Sequence, residues 1–165
     1  MITSPSRQGG GRHSYALPLA RCADTLSPGW PIVSRMATWD DVKRFALRLP
    51  QTVERSSRDG VPSWRVKDKS FAWERPLRRA DLQALGDAAP SGPILAARVP
   101  DLGAKQALLA DDAEVYFTIP HFDGFLAILV HLDRITLPEL EELLVEAWLC
   151  RAPKRLAAEY LDAAR

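Results

Sequence analysis

Between Glu114 and Asp133 the chain reads EVYFTIPHFDGFLAILVHLD, two apolar runs joined by a Pro-His-Phe-Asp-Gly connection. Pro120 cannot donate to a sheet ladder, so it belongs between strands, and Asp123-Gly124 supplies residues suited to a reversal. This pattern predicts a hairpin of Glu114–Ile119 with Phe125–Leu132. A helix able to cover it follows at once. Thr136 and Glu139 have capping-box spacing, and Leu140, Leu143, Leu144, Ala147 and Trp148 recur on one helical face.

The remaining elements read in the same way. Thr38 and Asp41 form another capping-box pair, with Val42, Phe45, Ala46 and Leu49 at helical spacing before Pro50. Trp64 and Val66 alternate with Arg65 and Lys67. Lys69–Arg75 alternates again, so two antiparallel strands joined by a tight turn are expected, with Phe71 and Trp73 on one face. Ala80–Leu85 reads as a short helix ending at Gly86, and Ile94–Val99 as a central strand. Asp101 reads as the cap of a helix running to Leu109, and Pro153 as the start of a last helix carrying Leu156 and Tyr160. Helices and strands in this order define an α+β fold of two layers, a mostly antiparallel sheet with helices packed on it.

The 165 residues, 47% hydrophobic and 26% charged, suffice for one domain with a substantial core. No apolar run approaches the ~20 residues needed to span a bilayer, and a soluble protein is expected. The two cysteines, Cys22 and Cys150, lie far apart without a CxxC partner, which fits a reducing cytoplasm. Residues 1–35 are rich in Ser, Gly, Pro and Arg and show no sustained periodicity. They are expected to be disordered, or a misassigned extension upstream of a start at Met36, leaving residues 36–165 as the domain.

Three blocks in order, LRLPQTVERSSRDGVPSWRVKDKSFA, DDAEVYFTIPHFDGFLAILVHLD and EAWLCRAPKRLA, resemble the MmcQ/YjbR-like family. The resemblance implies a small α+β fold (YjbR-like, CyaY-like) related to frataxin-like and secretion-chaperone-like architectures. It also implies DNA binding by a double-wing arrangement of hairpins. The Pro-His-aromatic-x-Gly block of that family gives His121 the role of shaping or lining a pocket.

Charge bears on the DNA expectation. From Lys43 to Arg79 there are eleven Lys/Arg against four Asp/Glu, and from Ala80 to Arg165 seven against fourteen. The first half can therefore present a positive face. Alternation turns Arg65 and Lys67 away from Trp64 and Val66, so the hairpin is the expected wing. Arg65, Lys67, Lys69 and Arg75, helped by Arg78 and Arg79, are the candidate phosphate contacts. The plainer reading is a solvated strand face with Trp64, Phe71 and Trp73 in the core.

Two other groups stand out. His121 with Asp123 and His131 with Asp133 are His-x-Asp pairs that together can hold a divalent metal and activate water, although both aspartates also suit turn and strand-end capping. Lys154 and Arg155 open the last helix, where positive charge opposes the helix dipole. They are candidates for an anion-binding pocket or for salt bridges to Glu141, Glu142 or Glu146. No nucleophile with its base and no phosphate-cradling glycine loop occurs in the sequence. A non-enzymatic nucleic-acid-binding protein without cofactor or metal is the first expectation. A protein-interaction or chaperone-like module comes second and a metal-dependent hydrolase third. The expected partners are DNA or a protein, not a membrane, with the chain a monomer or homodimer.

Overall fold

Thr38 opens the first helix as its spacing predicts: its hydroxyl and backbone N–H both donate to the Asp41 carboxylate, and α1 runs over Trp39–Arg48. The structure is a computed structural model in which residues 35–164 are described. The expectation for the N-terminal segment lies, as far as residue 34, outside the described residues. After α1 come β1 (Thr52–Ser56), β2 (Pro62–Val66), β3 (Lys69–Glu74), α2 (Arg79–Leu85) and a 3-10 turn at Gly86–Ala88. Then follow β4 (Ile94–Arg98), α3 (Leu102–Asp111), β5 (Tyr116–Phe117), a second 3-10 turn at Pro120–Phe122, β6 (Ala127–His131), α4 (Leu137–Leu149) and α5 (Lys154–Ala163).

The six strands form one sheet in the order β1-β2-β3-β4-β6-β5, every pairing antiparallel. This is the α+β arrangement expected, with β4 central. One sheet face carries Trp64, Val66, Ala72, Leu95, Ala97, Ile128 and Val130 and packs against Val42, Phe45 and Ala46 of α1 and Leu140, Leu144, Ala147 and Trp148 of α4. Most of these side chains are fully buried. Each large one contributes about 1.5–3 kcal/mol relative to exposure, so this layer dominates stability. Trp39 stacks on Trp64 with centroids 6.3 Å apart, the Trp148 indole donates to the Pro50 carbonyl at 3.2 Å, and Tyr160 of α5 lies against Trp148.

The opposite face is covered unevenly. Ile94, Ala96, Ala127 and Leu129 are buried beneath Ile119 and Phe122 of the β5–β6 connection, with Trp73, Leu77, Leu85 and Phe117 at the margin. Val53, Arg55, Ser63 and Arg65 share this face by register, and Val53 remains 43% exposed.

Three features differ from the sequence expectations. First, β1 is an additional strand with no apolar pattern of its own, because Val53 is the sole apolar residue of TVERS and it faces the open side. Second, Trp64 pairs with Ala72 but Arg65 with Ser70, so Phe71 is an extra residue in a β-bulge. The bulge sends Phe71 and Ala72 together into the helix-facing core while Trp73 goes to the other face, so Phe71 and Trp73 do not share a side. Third, the Glu114–Leu132 hairpin is real but its ladder is short: Tyr116 pairs with Val130 and Phe117 with Leu129. The connection folds instead into the Pro120–Phe122 turn followed by a type II turn. In that turn Phe125 N–H donates to Phe122 O at 3.0 Å and Gly124 takes φ +69°.

Candidate nucleic-acid interface

Ion pairing separates the basic residues of the first half into two kinds. Lys43, Arg44 and Arg48 are tied to Glu54, Asp41 and Glu141. Among the described residues, the exposed Lys and Arg side chains outside any ion pair are Arg55, Arg58, Lys67, Lys69, Arg78, Arg79 and Lys154. All but Lys154 come from the stretch between β1 and the start of α2.

Arg75 is not one of them, which corrects its assignment as a phosphate contact. It is buried, and its guanidinium lies 2.8 Å from Oδ2 of Asp81 and also donates to the Pro76 carbonyl. The same Asp81 oxygen accepts from the Arg78 backbone N–H at 2.8 Å, so one carboxylate fastens the end of β3 to the first turn of α2. Burial alone would push the Asp81 carboxyl up. The Arg78 and Arg75 hydrogen bonds and the Arg75 charge outweigh it and hold the group below the usual carboxylate range.

The other predicted contacts are placed as follows. Lys67 and Asp68 form the two-residue turn of the β2–β3 hairpin with φ of +48° and +62°, and Lys69 follows at the start of β3. Arg65 sits mid-strand and half-buried, opposite Ser70. Its Nε and the Ser70 hydroxyl have no hydrogen-bond partner among the described residues. Arg78 and Arg79 stand at the other end of β3, about 17 Å from the hairpin tip at ~3.3 Å per residue. They lie near the β1–β2 turn that carries Arg58. The six predicted residues therefore do not gather at one point. Arg65 shares the open side of β1–β3 with Arg55, Lys67 stands at the hairpin tip, Lys69 opposes Val66 and so starts β3 on the helix-facing side, and Arg78 and Arg79 lie beyond the far end of β3.

At the Arg58–Arg78 end this face deepens into a cleft of about 760 Å³. The β1–β2 turn (Ser57, Asp59, Val61) forms one wall, Trp73 to Arg78 another, and His121, Phe122 and Phe125 the third. Trp73 stacks on Phe122 at 6.5 Å, Phe125 meets Phe122 edge-on at 5.3 Å, and His121 lies edge-on to Phe122 at 5.8 Å. Arg98 lies over both Phe125 and Trp73, 4.3 and 5.3 Å from the ring centroids. Its Nε has no hydrogen-bond partner among the described residues, and burial together with the Arg151 charge pushes its pKa down.

The aromatic wall is held from behind by a buried lysine. Lys105 of α3 donates to the Phe122 carbonyl at 2.7 Å and the Phe125 carbonyl at 3.3 Å. Burial lowers its pKa, partly offset by Asp123. Neither Lys105 nor Arg98 is legible in the sequence as part of a site, since a lone Lys on a helix and a lone Arg ending a strand carry no distinguishing spacing. Phe122 and Phe125 flank the Asp123-Gly124 turn, and that spacing is the signal available for them.

His121 is among the residues that line the cleft. Lys154 and Arg155 do not border that cleft. Arg155 pairs with Glu159 one helical turn on at 2.8 Å, rather than with Glu141, Glu142 or Glu146. The His-x-Asp pairs are not brought together: the His131 ring packs on Phe117 at 4.5 Å, while His121 and Asp123 belong to the β5–β6 connection. Among the described residues no group of three or more His, Cys, Asp or Glu side chains is placed to hold a metal, which removes the geometry that the hydrolase expectation required. Cys150 is half-buried, and burial pushes its thiol up to about 11, unsuited to nucleophilic work.

A six-stranded antiparallel sheet with its helices mainly on one face and an aromatic, cation-edged cleft on the other defines the class as a small α+β domain. Residues 47–150 match the YjbR family model, and the chain belongs to the YjbR family. Uncharacterized proteins of Mycobacterium bovis and Mycobacterium tuberculosis are each 53% identical to it over 129 residues, covering 76% of this chain and 97% of theirs. A crystal structure of a Deinococcus radiodurans protein with a DUF419 domain shares the fold. Its TM-score is 0.52 at 20% identity, covering 69% of this chain and 78% of that one. No helix among the described residues is long and apolar enough to cross a membrane.

Proposed function

We propose that this protein is a non-enzymatic, cytoplasmic nucleic-acid-binding domain that holds phosphates along the open face of β1–β3. The observation that supports the reading is that, among the described residues, six of the seven exposed cations outside any ion pair fall within Arg55–Arg79, beside a sheet face that is only partly covered. Unpaired surface cations keep their full charge for a polyanion, whereas those in ion pairs must first give up a partner. Arg55 and Arg65 on the open face, Lys67 and Lys69 at the β2–β3 tip, and Arg58, Arg78 and Arg79 at the opposite end are the phosphate contacts. Arg75 serves the fold instead.

Fluorescence anisotropy of the full chain with labelled single-stranded and duplex DNA at two salt concentrations tests this. Micromolar binding that weakens with salt and is lost in an Arg58→Ala/Lys67→Ala/Lys69→Ala variant is the expected result. Undetectable binding at low salt overturns it.

A second reading, a protein-interaction module, draws on β1. Among the described residues no strand pairs with its outer edge, and such an edge can accept an extended segment of a partner. The exposed Arg55 on that strand favours an acidic segment.

A further inference from the structure

We propose that the cleft at the end of the open face takes one unpaired nucleobase, so that the protein prefers single-stranded to duplex nucleic acid. This rests on the nucleic-acid-binding reading and assigns a role to residues that the phosphate contacts leave unused. Phe125 is 41% exposed in the wall of the cleft, and its ring and backbone meet neighbours on several sides. Arg98 stacks 4.3 Å from its centroid, Phe122 meets it edge-on, and Lys105 anchors its carbonyl and that of Phe122. A large aromatic ring braced by neighbouring side chains in a partly exposed position loses less rotamer freedom on stacking than a free one, and every base offers a π-face to it.

The rest of the cleft suits the same occupant. Its volume of about 760 Å³ falls within the range of ligand pockets, roughly 300–1,000 Å³. Trp73 and Phe122 provide an apolar floor, and exposed His121 provides hydrogen-bonding groups at the side. Charges of both signs line it: Arg78 and Glu74 lie in one wall and Asp59 in the wall formed by the β1–β2 turn. A phosphate attached to the inserted base is drawn to Arg78 and repelled by Asp59, which orients the nucleotide. Asp59 can also accept from an exocyclic amine at the base edge. Bases stacked inside a duplex cannot enter a concave site of this kind, whereas splayed bases of a single strand can.

The test compares a fluorescent mixed-sequence single strand with the duplex of the same sequence, using the full chain and its Phe125→Ala, Phe125→Leu and Phe125→Trp variants. The expected result is tighter binding of the single strand by the parent. The Ala and Leu variants should then bind the single strand about tenfold more weakly and the duplex as before, with retention in the Trp variant. Phe125→Leu keeps apolar bulk, so a weakening shared by Leu and Ala reports stacking rather than packing. Equal affinity for both forms, unchanged by all three substitutions, overturns the base-insertion proposal and leaves phosphate binding standing. Absence of binding to either form overturns both.

Discussion

Asp81 holds Arg75 at 2.8 Å in a pair whose side chains are 7% and 11% exposed, and the same oxygen takes the Arg78 backbone N–H. A basic residue that the sequence places at the end of a hairpin is thus a buried fastener between β3 and α2. Because α2 and the Arg78–Arg79 cations follow this junction, the pair shapes the wall of the cleft that Arg75 itself lines.

Arg75→Ala leaves the Asp81 charge buried without its main partner. Removal of one member of a buried pair costs about 3–5 kcal/mol, so urea unfolding should show a large drop in midpoint. Arg79→Ala, at an exposed position outside any ion pair, should stay within about 0.5 kcal/mol. Equal effects from the two substitutions would contradict the buried-fastener role.

Acid stability should follow Asp41 and Asp81. For both, burial works against the charged form, but hydrogen bonds and a neighbouring Arg (Thr38 and Arg35 for Asp41, Arg78 and Arg75 for Asp81) leave the folded-state pKa below the ordinary value. The unfolded chain then takes up protons first as pH falls. The contribution is fully present above about pH 4, the unfolded carboxylate value, and is lost as pH drops through the lower folded values. Thermal melts from neutral pH downward should show a midpoint that holds until about pH 4 and then falls, with a shallower fall in Asp81→Asn.

Lys105→Met removes the donor to the Phe122 and Phe125 carbonyls. Each carbonyl keeps one backbone donor, the N–H of Phe125 or of Ala127, so the loss is that of a charge-assisted bond, about 1.5–3 kcal/mol, and the effect should be local. Hydrogen exchange should quicken in residues 120–126 while the amides of β4 and β6 keep their protection. Unchanged exchange in that connection would remove the anchoring role.

The Lys67-Asp68 turn sets stability against charge. Both residues have positive φ, which ordinary side chains disfavour by roughly 1 kcal/mol or more, and Asn-Gly suits such a turn. Lys67→Asn/Asp68→Gly should raise the unfolding midpoint while weakening nucleic-acid binding. Removing one phosphate-binding cation should also flatten the slope of log K against log salt by about 0.9, so this variant and Arg58→Ala should each reduce the slope by roughly that amount.

Elements with their own capping or periodic signals are readable from sequence. Thr38 with Asp41 and Thr136 with Glu139 close the boxes expected of them, and the apolar stripe of α4 is buried in full. The central strand is visible for the same reason, since ILAAR has no polar side chain before Arg98 and lies between two partners. β1 is hidden because its polarity reflects an edge position, among the described residues, with Val53 on a face left partly open. The bulge at Phe71 is hidden because it arises from the registers of β2 and β3 together, and no alternation within one strand reports it.

The same division holds for the site. Local sequence determined the helices, the central strand, the turn chemistry at Asp123-Gly124 and the excess of positive charge in residues 43–79, because caps, periodicity and charge are properties of neighbours along the chain. Only the tertiary structure decided which cations face solvent and which are spent. Arg75 and Lys69 are both basic and six residues apart, yet one is sealed against Asp81 while the other is exposed and outside any ion pair. It also decided that Trp73, Phe122, Phe125 and Arg98 meet, because that cluster depends on pairing between strands distant in sequence and on a buried lysine from a third element.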